Sequence, residues 1–145
     1  MTWSELYALL NGNVSNRIDP LASYNVAPTA VVLTAVPGED AYALMPMEWG
    51  LQPEWAKTLL INAQAEKYTA PGRSFWTRFD RCVIPASGFY EWKPVSGGPK
   101  QPMYIRAADG QPVVFAGLYQ EVVDSDGTSG FRFVIVTTKP NELME

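Results

Sequence analysis

Proline or glycine interrupts this chain so often that no long helix is open to it. There are 12 Pro and 11 Gly in 145 residues. Proline removes a backbone donor and glycine costs conformational entropy inside a helix, so both act as punctuation. The segments between them are short and rich in Val, Thr, Ile and aromatic residues. That pattern predicts short strands and turns and argues against a helical bundle. A length of 145 residues suits one domain with one core. Hydrophobic residues make up 47% and charged residues 18%, a globular composition.

The element order follows from local signals. Thr2-Trp3-Ser4-Glu5 has the spacing of a capping box, Leu6, Leu9 and Leu10 recur at helical spacing, and Gly12 is a stop. A short opening helix is therefore predicted. Ala30–Val36 and Ala41–Met45 read as a strand pair around Pro37-Gly38-Glu39-Asp40, and Leu59-Leu60-Ile61 as a short buried strand or strand end. Ala65–Ser74 reads as a loop or broken helix. Cys82–Pro85 and Phe89–Lys93 are strands on either side of Ala86-Ser87-Gly88. Met103–Ala107 and Val113–Tyr119 flank Asp109-Gly110, a hairpin signal. Phe131–Thr138 is a further strand, and Pro140–Met144 reads as the first turn of a new helix. About seven strands result. The expected fold is α+β, mainly antiparallel, with a curved or barrel-like sheet and a few short helices.

Composition narrows the chemistry. The chain has no histidine, which removes a Ser-His-Asp triad, a Cys-His pair and a His metal site. Neither a metal nor another cofactor is expected. No apolar run approaches the ~20 residues that span a bilayer, and the start lacks the pattern of a signal peptide. The one thiol, Cys82, cannot form an internal disulfide, so a reducing cytoplasm is the expected compartment. Net charge is −4, yet positions 51–110 hold eight basic and five acidic residues between acidic ends. Such a middle either presents a basic surface to a polyanion or is a mixed solvated face.

Four candidates stand out, each with two readings. Asn62, after Leu60-Ile61, either faces a pocket at a strand end or caps a turn. Glu91 lies between aromatics in Phe89-Tyr90-Glu91-Trp92. It is either a carboxylate with a raised pKa in a dry pocket, suited to general acid–base work, or a solvated residue opposite core aromatics. Trp55, Trp76 and Trp92 lie among Lys57, Arg73, Arg78, Arg81 and Lys93. They either stack on bases of a single strand or fill the core. Cys82 starts an apolar strand; Arg81 beside it could lower its pKa, but a buried structural thiol is the favoured reading.

The ordered set of these stretches resembles the SRAP family, the SOS response-associated peptidases that capture abasic sites. The matching pieces are Tyr24-Asn25-Val26-Ala27-Pro28-Thr29, Trp49-Gly50-Leu51 with Pro53 and Trp55, and Ile61-Asn62-Ala63 with Ala65-Glu66. They continue with Arg81–Ala86, Gly88–Lys93, Lys100-Gln101-Pro102, Phe115–Leu118, and Thr137-Thr138 with Asn141. No single piece is decisive; the order is.

The resemblance implies a DNA damage response protein whose N-terminal Cys closes a thiazolidine on the aldehyde of an abasic site in single-stranded DNA. The peptidase label reflects self-processing that exposes that Cys. It implies that Asn62 and Glu91 assist the reaction and that Asn25, Pro28, Trp55, Arg73, Trp92 and Thr138 lie along the DNA. The expected partner is single-stranded DNA with an abasic site, bound by a monomer, with no metal and no membrane. Three departures accompany it. The chain begins Met1-Thr2-Trp3 rather than with a Met-Cys-Gly-Arg segment, the His motif expected beyond Asn141 is not present, and Gln64 stands where the family has Arg. The expectation is one SRAP-like domain over 1–145, without the N-terminal Cys segment and the His motif, and inactive by itself. Two rivals remain: a non-covalent single-stranded nucleic-acid-binding module, and a DNA-independent peptidase using Glu91 and Asn62.

Overall fold

The β-branched and aromatic runs do become strands, and their pairing closes on itself. The computed structural model describes residues 1–69 and 74–139. In chain order these form α1 (Trp3–Leu9), β1 (Val31–Pro37), β2 (Tyr42–Trp49), β3 (Asn62–Gln64) and α2 (Ala65–Thr69). A 3-10 turn (Phe75–Arg78) follows, then β4 (Asp80–Ala86), β5 (Phe89–Lys93), β6 (Gln101–Ile105), β7 (Val113–Val123) and β8 (Ser129–Thr137). The sheet order is β2-β1-β4-β7-β8-β3, and β2 pairs with β8 as well. Five strands therefore form a ring, with β3 added to its seam. All pairings are antiparallel except β2 with β8 and β3 with β8. The α+β, mainly antiparallel, barrel-like expectation holds.

Alternation along the strands sorts side chains between two faces. Met47, Cys82, Ile84 and Phe133 are buried in one cluster, with Val32, Phe115, Tyr119 and Ile135 against them. All five ring strands contribute, so this is the ring's inner face. Gly117 lies opposite Cys82 on the neighbouring strand. A Cβ there would come within 2.8 Å of the Cys82 sulfur and collide with Ile84, so only glycine fits that approach. Outside the ring, Leu6 and Leu10 of the α1 region pack on Ala35 and Leu44. Ala63, Trp76, Phe79, Leu118 and Val134 form the third cluster, beneath α2 and the 3-10 turn.

The opening helix forms as expected. The Glu5 N–H donates to Thr2 Oγ1 at 3.3 Å, and the Thr2 N–H donates to Glu5 Oε2 at 2.6 Å, the two halves of a capping box. The chain then turns through Asn11 and Gly12 at φ 55° and 71°.

Three expectations are corrected. Asp109-Gly110 makes its turn, with the Gly110 N–H donating to the Ala107 carbonyl, but the flanking strands do not pair. β6 pairs with β5 in a separate two-stranded ribbon, because β7 already has β4 and β8 on its two edges. The strand expected over Leu59–Ile61 lies at Asn62–Gln64, since Leu60 bridges back to Leu51 instead. Among the described residues there are eight strands rather than about seven. The helical turn expected at Pro140–Met144 falls outside the described residues.

Candidate nucleic-acid cleft

The ring's seam positions the site. β8 has β7 on one edge and shares its other edge between two partners. Glu48 and Trp49 of β2 pair with Arg132 and Phe133, and Asn62–Gln64 of β3 then pair with Ile135–Thr137. The chain leaves the edge at Gly50, whose φ of 108° suits glycine and whose N–H donates to the Phe133 carbonyl at 2.7 Å. It returns at Ile61. The Ile61 carbonyl accepts two hydrogen bonds of 3.0 Å, one from the Ile135 N–H and one from the Trp49 indole. The residue before Asn62 is thus held from both sides.

Burial alternates along β3: Asn62 and Gln64 are exposed and Ala63 is buried in the core. Both amides therefore share the outer face. They line an open cleft of about 470 Å³ with Trp55, Leu60, Lys67, Phe75, Trp76 and Thr137. Among the described residues, neither amide side chain has a hydrogen-bond partner. Trp55 is 63% exposed and meets the ring of Phe75 edge-on, at 5.0 Å between centroids. Phe75 in turn packs on buried Trp76 at 4.9 Å, and the Arg78 guanidinium covers its ring at 4.7 Å. A surface indole thus stands on a ladder of rings anchored in the core.

The lip of the cleft is also fixed. The Glu66 carboxylate accepts a hydrogen bond from the Lys139 N–H at 3.3 Å. Backbone N–H donors from Glu66 itself and from Lys139 hold this carboxyl below its ordinary range. This ties the end of β8, with exposed Thr138, beside α2. Ion pairs among the described residues involve Arg17 and Arg132 only; Lys67, which lines the cleft, and Arg78, over the Phe75 ring, make none.

The remaining candidates lie elsewhere. Glu91, Tyr90 and Trp92 are all exposed on the β5–β6 ribbon, so Glu91 sits in no dry pocket and its aromatic neighbours are not core. A two-stranded ribbon with no third layer has no buried side for the alternation to fill. Phe89 anchors the ribbon on Phe115, with centroids 5.6 Å apart. The Tyr90 hydroxyl reaches the Tyr24 carbonyl at 3.5 Å, which brings the ribbon beside exposed Asn25. Pro28 is half-buried, and the Thr29 N–H after it donates to the Trp49 carbonyl at 2.8 Å. Trp49 thus touches both the Pro28 turn and the base of Asn62. Asn62 and Glu91 lie on different sheets, and no hydrogen bond joins them. Arg73 lies outside the described residues. Sequence reasoning missed Phe75, Lys67 and the Trp49 indole as parts of the site. The one available signal was Ser74 before Phe75-Trp76, which caps the 3-10 turn by accepting from the Trp76 N–H.

Cys82 is 3% exposed, and burial pushes its thiol up to about 12. Arg81 does not lower it, because that side chain points to Tyr68 at the surface. In the native protein, alkylation of this thiol should stay slow and should not accelerate between pH 7 and pH 9, while denaturant should release it. Mass spectrometry after iodoacetamide treatment checks this; rapid native labelling would contradict the burial.

Among the described residues no helix is long and apolar enough to cross a membrane, and no cluster of metal-ligating side chains occurs.

Residues 2–145 match the family described as SOS response associated peptidase (SRAP). The chain is 40% identical over 129 residues to "Abasic site processing protein YoqW" of Bacillus subtilis, covering 85% of this chain and 58% of YoqW. It is 34% identical over 149 residues to "Abasic site processing protein YedK" of Escherichia coli, covering 97% of this chain and 65% of YedK. A crystal structure of a phage-related protein from Bordetella bronchiseptica superposes with a TM-score of 0.68 at 30% identity, over 95% of this chain and 66% of that one. The chain thus spans somewhat under two thirds of the length of these curated relatives.

Proposed function

The chain belongs to the SRAP family, and from that premise we propose that it holds single-stranded DNA at an abasic site for covalent capture. The observation that carries this reading is the β3 cleft. It sets an exposed indole and two carboxamides without hydrogen-bond partners among the described residues beside Lys67 and Arg78, which form no ion pair among those residues. Indole faces stack on bases of any sequence, and ammonium and guanidinium groups hold phosphates. Relatives named for abasic site processing supply the damaged nucleotide as the target.

The proposed reaction balances simply. An amine adds to the sugar aldehyde, water leaves to give a Schiff base, and a thiol adds to close a thiazolidine. Proton transfers are needed at each stage. Asn62 would hold the amine or the sugar oxygen, and Glu91 would shuttle protons once the β5–β6 ribbon lies over the strand. Asn25 and Pro28, beside the ribbon and Trp49, would border the same path, as would Arg73, Trp92 and Thr138. The only thiol here, Cys82, is buried and protonated, and there is no histidine. On this reading the 145 residues supply the DNA-holding scaffold rather than the nucleophile.

The test mixes this chain with single-stranded DNA bearing one abasic site, beside an intact control. Expected are salt-sensitive binding, with a log–log slope of about −0.7 per phosphate held, and no band stable in a denaturing gel. Adding a Cys-first segment and the His motif should create that band. Failure to bind any single strand would sink the proposal. Equal affinity for intact and abasic strands would favour the plain binding module.

A further inference from the structure

We infer that the pair of carboxamides on β3 makes this cleft a reader of one intact nucleobase next to the abasic position, with adenine preferred. The inference deepens the proposed function and rests on it. Asn62 and Gln64 lie two residues apart on one strand face, about 6.7 Å along the backbone, and Ala63 between them is locked in the core. If Asn62 serves the abasic sugar, Gln64 faces the neighbouring nucleotide.

Gln64 is neutral, so it does not displace counterions from a phosphate. A carboxamide presents one donor and one acceptor side by side, which matches a base edge. In a single strand those edges are open. Adenine offers an adjacent donor and acceptor on both of its edges, through N6 with N1 and N6 with N7. Guanine offers one such pair on its Watson–Crick edge, O6 with N1, and a second, N2 with N3, only on the edge beside its own sugar; cytosine and thymine offer such pairs on one edge. The cleft also supplies what a base needs in its remaining directions: the exposed face of Trp55, the ring of Phe75, and Lys67 for the connecting phosphate. A purine covers more of that indole than a pyrimidine does.

The experiment measures the affinity of the 145-residue chain for short oligothymidine strands carrying one tetrahydrofuran abasic analogue. The nucleotides on either side are A, G, C or T. Binding with adenine neighbours should be tighter than with thymine by about 5-fold or more, the low end for one bidentate amide–base contact. Gln64→Ala, at an exposed position, should reduce the ratio below about 2-fold and leave the fold intact by circular dichroism. Gln64→Arg should also erase the preference while steepening the salt slope by about 0.7. Equal affinity for all neighbours, or an adenine preference that survives Gln64→Ala, overturns the inference and leaves the proposed function standing. Competition by millimolar adenosine against every strand alike would overturn it too, since the cleft would then take free nucleosides. No binding to any strand would remove the proposed function and this inference together.

Discussion

Replacing Phe133 with alanine should lower the unfolding free energy by about 3–5 kcal/mol, a third or more of an ordinary margin of about 10 kcal/mol. Phe133 is 1% exposed and belongs to the inner cluster with Met47, Cys82 and Ile84. It also lies stacked against Trp49, with centroids 6.5 Å apart and ring planes 10° apart. That contact sits where the ring closes, because Trp49 pairs with Phe133 across the β2–β8 seam. Only two residue pairs make up this parallel seam, so side-chain packing carries closure there. Loss of the phenyl ring should free Trp49, whose indole holds Ile61, and the disturbance should reach Asn62. Urea denaturation followed by tryptophan fluorescence reads the stability, and Val123→Ala, at a 66% exposed site, is the control expected within about 0.5 kcal/mol of the parent. A loss below about 1.5 kcal/mol for Phe133→Ala would mean that the seam is held by something other than this ring pair.

Local features were legible in the sequence because their causes are local. The capping box needs only Thr2 and Glu5, and the strands of the ring announce themselves by alternating apolar residues. A barrel-like sheet was legible, but which strands close it was not. Trp49 and Phe133 lie far apart in sequence, and no periodicity in either strand points to the other. The Asp109-Gly110 turn shows the limit of a short-range signal: the turn forms, while long-range competition for strand edges decides the pairing. The Asn62 site was half legible. Its amide stood out after an apolar run, but the cleft around it depends on Lys67, from a stretch that looked like a polar loop, and on Phe75 just after that stretch. The dry-pocket reading of Glu91 failed differently. Its alternation assumed that one face of the strand is buried, and a lone ribbon buries neither.

The second large effect belongs to Trp55. Trp55→Ala should weaken binding of single-stranded DNA by roughly 5- to 150-fold, the value of one base–aromatic stack, with little change in stability because the indole is mostly exposed. Trp55→Phe should recover part of the loss, since a smaller face still stacks. The comparison that decides the DNA path is Trp92→Ala on the ribbon, where the indole is 58% exposed. Both indoles are available, but only Trp55 is braced by Phe75 and Trp76 beneath it. A braced ring loses less freedom on stacking and so contributes more affinity. Fluorescence anisotropy at several salt concentrations separates stacking from charge: Trp55→Ala should shift the curve without changing its slope, whereas Lys67→Ala should flatten the slope by about 0.7. If Trp92→Ala proves the costlier of the two, the strand runs across the β5–β6 ribbon, and the β3 cleft is then a secondary contact.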